Sequence, residues 1–151
     1  LQENPEIAEL SKNVIIEENK DGLDIQIVDQ DGRSMFAESS RLPYERTRKL
    51  LEALAPQIRK MSNRVRITGH TSSSRSASRV GTQAWDLSTG RALAVRDILA
   101  ASGVQDDRFY AVMGKADTEP LFPDDPTMAA NRRISIMVLR EAPLVPAGAK
   151  P

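Results

Sequence analysis

The side chains best suited to chemistry lie between Arg64 and Arg96, where a polar loop joins an alternating apolar segment to a helical one. His70 opens this loop and is the only histidine of the chain, which contains no cysteine. These counts exclude Cys–His nucleophiles and cysteine-rich zinc sites, and no His-Glu-x-x-His spacing is present. We therefore expect no metal site, and we interpret His70 as a structural or hydrogen-bonding residue of the loop.

The other polar groups of this region are hydroxyls and guanidiniums. The loop at residues 70–82 is rich in serine and threonine and also carries Arg75 and Arg79. Arg91 follows in the opening turns of a predicted helix, at the end where the helix backbone already favours anions. The pattern predicts a surface that accepts an anionic group. A structural salt bridge of Arg91 is the alternative interpretation.

Catalysis is not indicated by any other group of residues. The acidic residues of the later loops and the helix start form no recognisable acid–base pair; they are Asp86, Asp117, Asp124 and Asp125. Neither a Gly-x-Gly-x-x-Gly nor a Walker pattern occurs, so we expect no cofactor. Equal numbers of basic and acidic residues, 21 each, and an aromatic content of 4% argue against a nucleic-acid partner. A non-catalytic binding surface remains.

Hydrophobic periodicity predicts the elements that must position these groups. Two apolar runs around Asp21-Gly22 are typical of a hairpin, and the order of the remaining segments is helix, strand, helix, strand, strand. The predicted ranges are 14–16 and 23–29 for the hairpin strands, 43–61 and 85–101 for the helices, and 64–69, 108–114 and 131–140 for the other strands. Pro56 is expected to bend the first helix or split off its last turn, and Trp85 is expected in the core.

The order β-β-α-β-α-β-β predicts an α/β (α+β) sandwich, with a mixed sheet and two main helices on one face. At 151 residues the chain fits one domain. We assign residues 13–140 to this domain, residues 1–12 to a linker or short helix, and the proline-rich residues 141–151 to a disordered tail. No stretch is apolar enough to span a membrane. Leu1 in place of Met suggests a fragment or a processed chain, from which an upstream anchor could have been removed.

Four separated motifs resemble the OmpA-like peptidoglycan-binding family. They are Gly69-His70-Thr71, Trp85-x-Leu87-Ser88-x-x-Arg91-Ala92, Gly114-x-Ala116-Asp117-Thr118-x-Pro120 and Asn131-Arg132-Arg133-Ile134-Ser135-Ile136. Within this family the spacing is most similar to the periplasmic domain of MotB-type flagellar stator subunits, as is the upstream segment 21–36. The resemblance covers roughly residues 7–140.

This resemblance implies a β/α sandwich whose pocket binds the diaminopimelate residue of the peptidoglycan stem peptide. In the family pattern, an Asp after Gly-x-Thr accepts the ammonium of the ligand, and the Arg of Leu-Ser-x-x-Arg-Ala binds its carboxylate. The implied ligand-binding residues of this chain are Thr71, Ser72, Leu87, Arg91, Asn131 and Arg132. Asn131 and Arg132 have an alternative interpretation, in which they cap the preceding acidic loop, and Thr71 has one as a loop cap.

Two positions depart from the family pattern. Ser72 stands where the family has the Asp, and Ala84 stands where it has an Asn. Exchanging a charge-assisted hydrogen bond for a neutral one costs about 1.5–3 kcal/mol, or about one to two decades of affinity. Asp86 or Asp117 could replace the missing carboxylate, or Arg75 and Arg79 could turn the pocket toward a more anionic ligand.

The resemblance implies a periplasmic domain that anchors a flagellar motor stator to the cell wall. It also implies a homodimer, a membrane-bound ion-channel partner subunit, and a tether to the inner membrane upstream of Leu1. The alternative is a degenerate domain that keeps the fold for dimerisation or protein docking and no longer binds peptidoglycan. A wall hydrolase is a third possibility, but it lacks a nucleophile, base or metal arrangement.

Overall fold

The computed structural model describes residues 11–73 and 83–140 and confirms the predicted order of strands and helices. The five strands and two long helices are β1 (Val14–Asn19), β2 (Gly22–Val28), α1 (Glu45–Lys60), β3 (Val65–His70), α2 (Gln83–Ala101), β4 (Phe109–Gly114) and β5 (Arg133–Leu139). Short 3-10 turns occur at Ser11–Asn13, Asp106–Arg108 and Ala129–Asn131. The predictions for residues 1–10, for the loop at 74–82 and for the tail at 141–151 lie outside the described residues.

The strands form one mixed sheet in the order β1-β2-β5-β3-β4. The hairpin pairs β1 with β2 in antiparallel fashion, and β5 lies antiparallel to both β2 and β3. β3 and β4 are parallel, as the intervening helix α2 requires. In this order the end of β3 lies beside the start of β5 and beside the end of β4, where the next loop begins. Three of the four family motifs therefore meet at the same end of the sheet.

Alternation along the strands separates a helix-covered face from a polar face. Ile25 and Ile27 of β2, Ile67 of β3 and Ile136 of β5 are at most 4% exposed. They form one core with the apolar stripes of the helices, which are Leu50, Leu51, Ala55 and Ile58 of α1 and Ala92, Val95 and Leu99 of α2. Burying each large aliphatic side chain stabilises the fold by about 1.5–3 kcal/mol. Both helices therefore lie on one face, as predicted.

Two local predictions need correction. Pro56 does not split off the last turn of helix α1, which continues without interruption to Lys60. The flanking residues Ala55 and Ile58 are completely buried, and packing of this turn on the core offsets the hydrogen bond that proline cannot donate. Trp85 is 46% exposed rather than part of the core, because the smaller side chains that follow it, Ala92 and Val95, occupy the buried stripe of α2.

Candidate ligand-binding site

The site is built where the first turns of α2 press against the ends of β3 and β4. A Cβ atom at Gly69 would overlap the carbonyl oxygen of Ser88, and one at Gly114 would overlap Thr89 and the Ser88 hydroxyl. Only glycine allows the backbones to approach this closely. The two glycines therefore set how near the start of α2 comes to the strand ends.

The Ser88 hydroxyl connects the same three segments through hydrogen bonds. It donates to the Trp85 carbonyl at 3.2 Å and accepts the N–H of Ala116 at 3.1 Å. The carbonyl of Ala116 in turn accepts the N–H of Thr71 at 2.8 Å. Ala116 has a φ of 51°, an uncommon conformation for a residue with a side chain. These bonds fix the course of the chain directly before Ser72.

Arg91 is held on the inner side of this region. It is 5% exposed, and its Nε and Nη2 donate to the carbonyls of Ser40 and Ala37 at 2.8 and 3.0 Å. Its guanidinium carbon lies 4.8 Å from the centre of the Phe36 ring. Burial lowers the pKa of Arg91, an effect that Asp29 opposes. The guanidinium of Arg91 therefore bonds to backbone carbonyls and not to a carboxylate, which argues against the alternative interpretation of Arg91 as a structural salt bridge.

Arg132 supplies the more accessible cation of the site. Its Nε donates to Asp29 Oδ2 at 2.9 Å, and its Nη1 lies 3.4 Å from the Ser72 hydroxyl oxygen. The Arg132 side chain is 33% exposed, whereas that of Asp29 is 5% exposed. Asp29 also accepts the N–H of Met35 at 2.8 Å. A buried carboxylate thus orients Arg132 towards Ser72.

A cavity of about 10 Å³ lies between these groups, lined by Asp29, Phe36, His70, Arg91 and Arg132 among others. This volume is about that needed for a single water molecule. The cavity therefore has no room for an amino-acid side chain; Ser72 and Arg132 meet at its outer rim. Arg133 also lines the cavity, so three arginines surround a single carboxylate, that of Asp29.

His70 lies between the rim and the opposite face of the sheet. It is 6% exposed, and its Nδ1 has no hydrogen-bond partner among the described residues. Burial and then the positive charge of Arg133 lower the pKa of His70 from 6.5 to about 4, while Glu119 opposes the shift. The imidazole is therefore neutral at pH 7. Within residues 11–73 and 83–140 no group of three acidic, histidine or cysteine side chains could hold a metal ion.

The predicted ligand-binding residues do not all meet at the rim. Thr71 is buried, with a hydroxyl that has no partner in the described part of the chain, and Leu87 is half-buried in the first turns of α2. Asn131 is completely buried, and its side-chain amide bonds to the backbone of Asp125 and Phe122. This geometry matches the capping interpretation for Asn131, whereas Arg132 extends to Asp29 and Ser72.

One of the possible replacement carboxylates lies close to Ser72. The hydroxyl of Ser73 donates to Asp117 Oδ2 at 3.0 Å, and the N–H of Ser73 donates to the Pro126 carbonyl at 2.9 Å. Asp86 is exposed on the first turn of α2. Arg75 and Arg79 lie outside the described residues. The geometry thus places the carboxylate of Asp117 one residue from the position of the family Asp.

Asp29 is the site residue that sequence reasoning missed. It lies 103 residues before Arg132, and no local pattern connects the two. Its position directly after an alternating strand was the available signal, because polar residues at strand ends often line sites. The contact itself follows from the pairing of Val28 with Arg133 across β2 and β5.

Comparisons with known proteins agree with this architecture. The OmpA family profile matches residues 35–133, more than half of the chain. Motility protein B of Escherichia coli K12 is 34% identical over 142 residues, which are 93% of this chain and 46% of that protein. The chain thus spans about half the length of this curated relative.

Solved structures show the same fold. The cell wall anchor of the T6SS from Pseudomonas aeruginosa superimposes with a TM-score of 0.70 at 30% identity, covering 90% of this chain and 95% of that one. The periplasmic domain of Helicobacter pylori MotB (residues 90–256) gives a TM-score of 0.75 at 18% identity, covering 90% and 85%. The family profile, the sequence identity and the shared fold together show that this chain belongs to the OmpA family.

Proposed function

We propose that this domain anchors a flagellar motor stator to the cell wall by binding the peptide part of peptidoglycan. The observation that carries the proposal is the Ser72–Arg132–Asp29 rim, which presents an oriented guanidinium beside hydroxyl groups. Relatedness to motility protein B supports the stator assignment. The anchoring part has separate support, because the P. aeruginosa protein of the same fold is itself a cell wall anchor.

The role is binding without catalysis, since OmpA-like domains are structural modules that bind peptidoglycan. In this role Arg132 binds a carboxylate of the stem peptide. Arg91 lies behind it and holds the segment at residues 36–40 in place through its two carbonyl contacts. Leu87, in the first turns of α2, and Thr71, directly after β3, are the other residues that we expect to contact the ligand. Asn131 contributes by holding the loop at residues 122–125.

The ammonium of a diaminopimelate residue needs a hydrogen-bond acceptor, and the neutral hydroxyl of Ser72 is a weaker acceptor than a carboxylate. Asp117 is the acceptor that the geometry favours, because Ser73 holds its carboxylate next to Ser72. A neutral hydroxyl in place of the usual carboxylate predicts weaker binding than in relatives that keep the Asp.

The proposed location is the periplasm, with a tether to the inner membrane and a homodimeric assembly beside an ion-channel subunit. Within the described residues no helix is long and apolar enough to cross a membrane.

Co-sedimentation with purified peptidoglycan tests the proposal. We expect wild-type protein to pellet with the wall and Arg132→Gln to lose at least about tenfold in affinity, because a charge-assisted contact contributes about 1.5–3 kcal/mol. Arg96→Gln is the matched control: Arg96 has a side chain 32% exposed and is ion-paired to Asp97 and Asp106, but it lies on a later turn of α2.

Failure of the wild-type protein to pellet would instead support the docking alternative, in which the fold serves dimerisation or protein contacts. If Arg132→Gln and Arg96→Gln lose the same affinity for peptidoglycan, the rim is not part of the binding site. Release of soluble wall fragments during the same assay would indicate a hydrolase.

A further inference from the structure

A polar groove of about 260 Å³ runs across the face of the sheet that is turned away from the helices. Its residues alternate with the core residues along each strand, so that they must emerge on the opposite face. Strand pairing sets them in rows: Thr68 lies beside Ser135, and Ser135 lies beside Gln26. In the next row Arg66 and Asp24 flank Met137 on either side. Three adjacent strands therefore build the floor of the groove, and Met113 of β4 with Lys115 and Glu119 of the loop after β4 completes its lining.

The polar side chains of the groove are recessed. Asp24, Gln26, Thr68 and His70 are only 6–9% exposed, although such residues are usually found on the surface. The groove volume is just below the roughly 300–1,000 Å³ of sites for drug-sized ligands. A recessed polar floor of this size is suited to a small polar molecule.

Two carboxylates of the groove already have partners. Asp24 accepts hydrogen bonds from the Ser135 hydroxyl at 2.6 Å and from the Gln26 amide at 3.1 Å. It also lies close enough to Arg133 to interact electrostatically with that guanidinium. Glu119 is ion-paired to Lys115 at 2.8 Å. The negative charges of Asp24 and Glu119 are thus balanced by the positive charges of Arg133 and Lys115.

Arg66 is the third cation of the groove, and the groove has no third carboxylate to balance its charge. Its guanidinium makes no hydrogen bond or ion pair with any residue in the described ranges 11–73 and 83–140, although Arg66 is partly buried. Next to it on β3, the Thr68 side chain also lines the groove. Further along β3, His70 lines the groove with an Nδ1 that lacks a partner in the same part of the chain. A partly buried cation with no counter-charge favours an external anion.

We propose that this groove is a second ligand site, separate from the Ser72–Arg132 rim, for a small molecule with one carboxylate. The carboxylate binds the Arg66 guanidinium and accepts a hydrogen bond from the Thr68 hydroxyl, and a polar group at the other end meets His70. A monoanion is favoured over a doubly charged phosphate, because the groove has one cation in excess and two carboxylates that repel a second negative charge.

Titration of the 15N-labelled domain followed by amide chemical shifts tests the groove. The probes are acetate, the dipeptide Ala-Ala, its C-terminal amide, and inorganic phosphate. We expect acetate and Ala-Ala to shift the amides of Arg66, Thr68 and Ser135, and we expect the dipeptide amide and phosphate to bind at least tenfold more weakly. Arg66→Gln should weaken binding of Ala-Ala at least tenfold, and Thr68→Val should weaken it several-fold.

Lys60→Gln removes a positive charge from an exposed position at the end of α1 and serves as the control. Amide spectra of each variant establish that it is folded. The proposal is overturned if wild-type protein binds neither carboxylate probe, if Ala-Ala and its amide bind equally, or if folded Arg66→Gln binds like Lys60→Gln. Arg66→Gln should also pellet normally with peptidoglycan, and a loss of pelleting would overturn the separation of this site from the rim.

Discussion

Single residues of the site divide into those that hold the fold and those that are exposed at the rim. Arg91 is 5% exposed and bonded to two carbonyls, whereas Arg132 is one-third exposed and extends to Ser72. Of the two guanidiniums, Arg132 is therefore the better placed to contact a peptide. The family position Arg91 has a supporting role in this geometry.

Replacing Arg91 should therefore cost stability. We expect Arg91→Ala to lower the free energy of unfolding by about 2–4 kcal/mol, because the carbonyls of Ala37 and Ser40 lose their donors and a buried space remains. Urea denaturation measures this change. Arg96→Ala, at an exposed ion pair, should cost less than about 1 kcal/mol. A loss at Arg91 no larger than that at Arg96 would contradict the structural role.

Ser72 is the residue at which binding can be improved. We expect Ser72→Asp to raise the affinity for peptidoglycan about ten- to hundredfold, because a carboxylate then accepts the ligand ammonium. The same pelleting assay measures the change. Ser102→Asp at the end of α2 introduces the same charge far from the rim and should leave the affinity unchanged. An unchanged affinity of Ser72→Asp would show that the ammonium is bound elsewhere.

The buried imidazole of His70 predicts a pH dependence of stability. Its folded pKa of about 4 lies below the unfolded value of about 6.5, so that between these values the unfolded state binds more protons and stability falls as the pH falls. Above pH 6.5 the contribution of His70 is constant, and at pH 4 it has lost up to about 3 kcal/mol.

Urea denaturation of wild type and His70→Gln between pH 4 and 7 isolates this contribution. The difference between their unfolding free energies should change in this window, since other titrating groups act on both proteins alike. As the only histidine, His70 can also be titrated directly by NMR. A measured pKa near 6.5 would refute the buried neutral state.

At the scale of elements, the contact between α2 and the strand ends determines the position of Ser72 and Arg91. Gly69 and Gly114 have no room for a Cβ because the backbone and side chains of Ser88 and Thr89 lie directly against them. This explains in physical terms why two of the four motifs contain glycine at the ends of neighbouring parallel strands.

Substituting either glycine should displace the helix. We expect Gly69→Ala and Gly114→Ala each to lower the free energy of unfolding by about 1–3 kcal/mol, the usual cost of overpacking, and to weaken wall binding. Thermal denaturation and pelleting check both effects. Gly90→Ala is the control, since its nearest contact would be the Arg41 Cβ at 3.3 Å, a tight contact without the overlaps found at Gly69 and Gly114, and alanine is favoured over glycine within a helix. Equal effects at all three positions would contradict the close-approach argument.

At the scale of the whole molecule, charge is balanced overall but not everywhere on the surface. The chain carries 21 basic and 21 acidic residues, while the groove lining has three cations against two carboxylates. Such a molecule has no general attraction to polyanions, and its binding depends on a few local contacts.

Wall binding should therefore depend only weakly on salt. We expect affinity for peptidoglycan to fall less than about tenfold between 50 and 500 mM NaCl, because one or two partly screened contacts are involved. Pelleting across this range measures the change. A steep loss of several decades would indicate nonspecific adsorption to anionic wall polymers instead of binding at the rim.

Much of the architecture was determined by the sequence alone. Alternation in residues 23–29 and 134–138, the apolar stripe of α1 and the Asp21-Gly22 turn predicted the hairpin, β5 and α1, because these signals arise from neighbours along the chain. The motifs predicted the family for the same reason. The uninterrupted helix at Pro56 and the exposed Trp85 differ from the prediction, because packing against distant residues outweighs local preferences.

Only the tertiary structure decided how the site residues are used. Whether a guanidinium faces solvent or a carbonyl depends on segments far away in the sequence: Ala37 and Ser40 enclose Arg91, and Asp29 orients Arg132. The groove around Arg66 likewise exists only because β2, β5 and β3 are paired in one register. Periodicity along the chain predicts which face a side chain occupies, but burial and partner are determined by long-range packing.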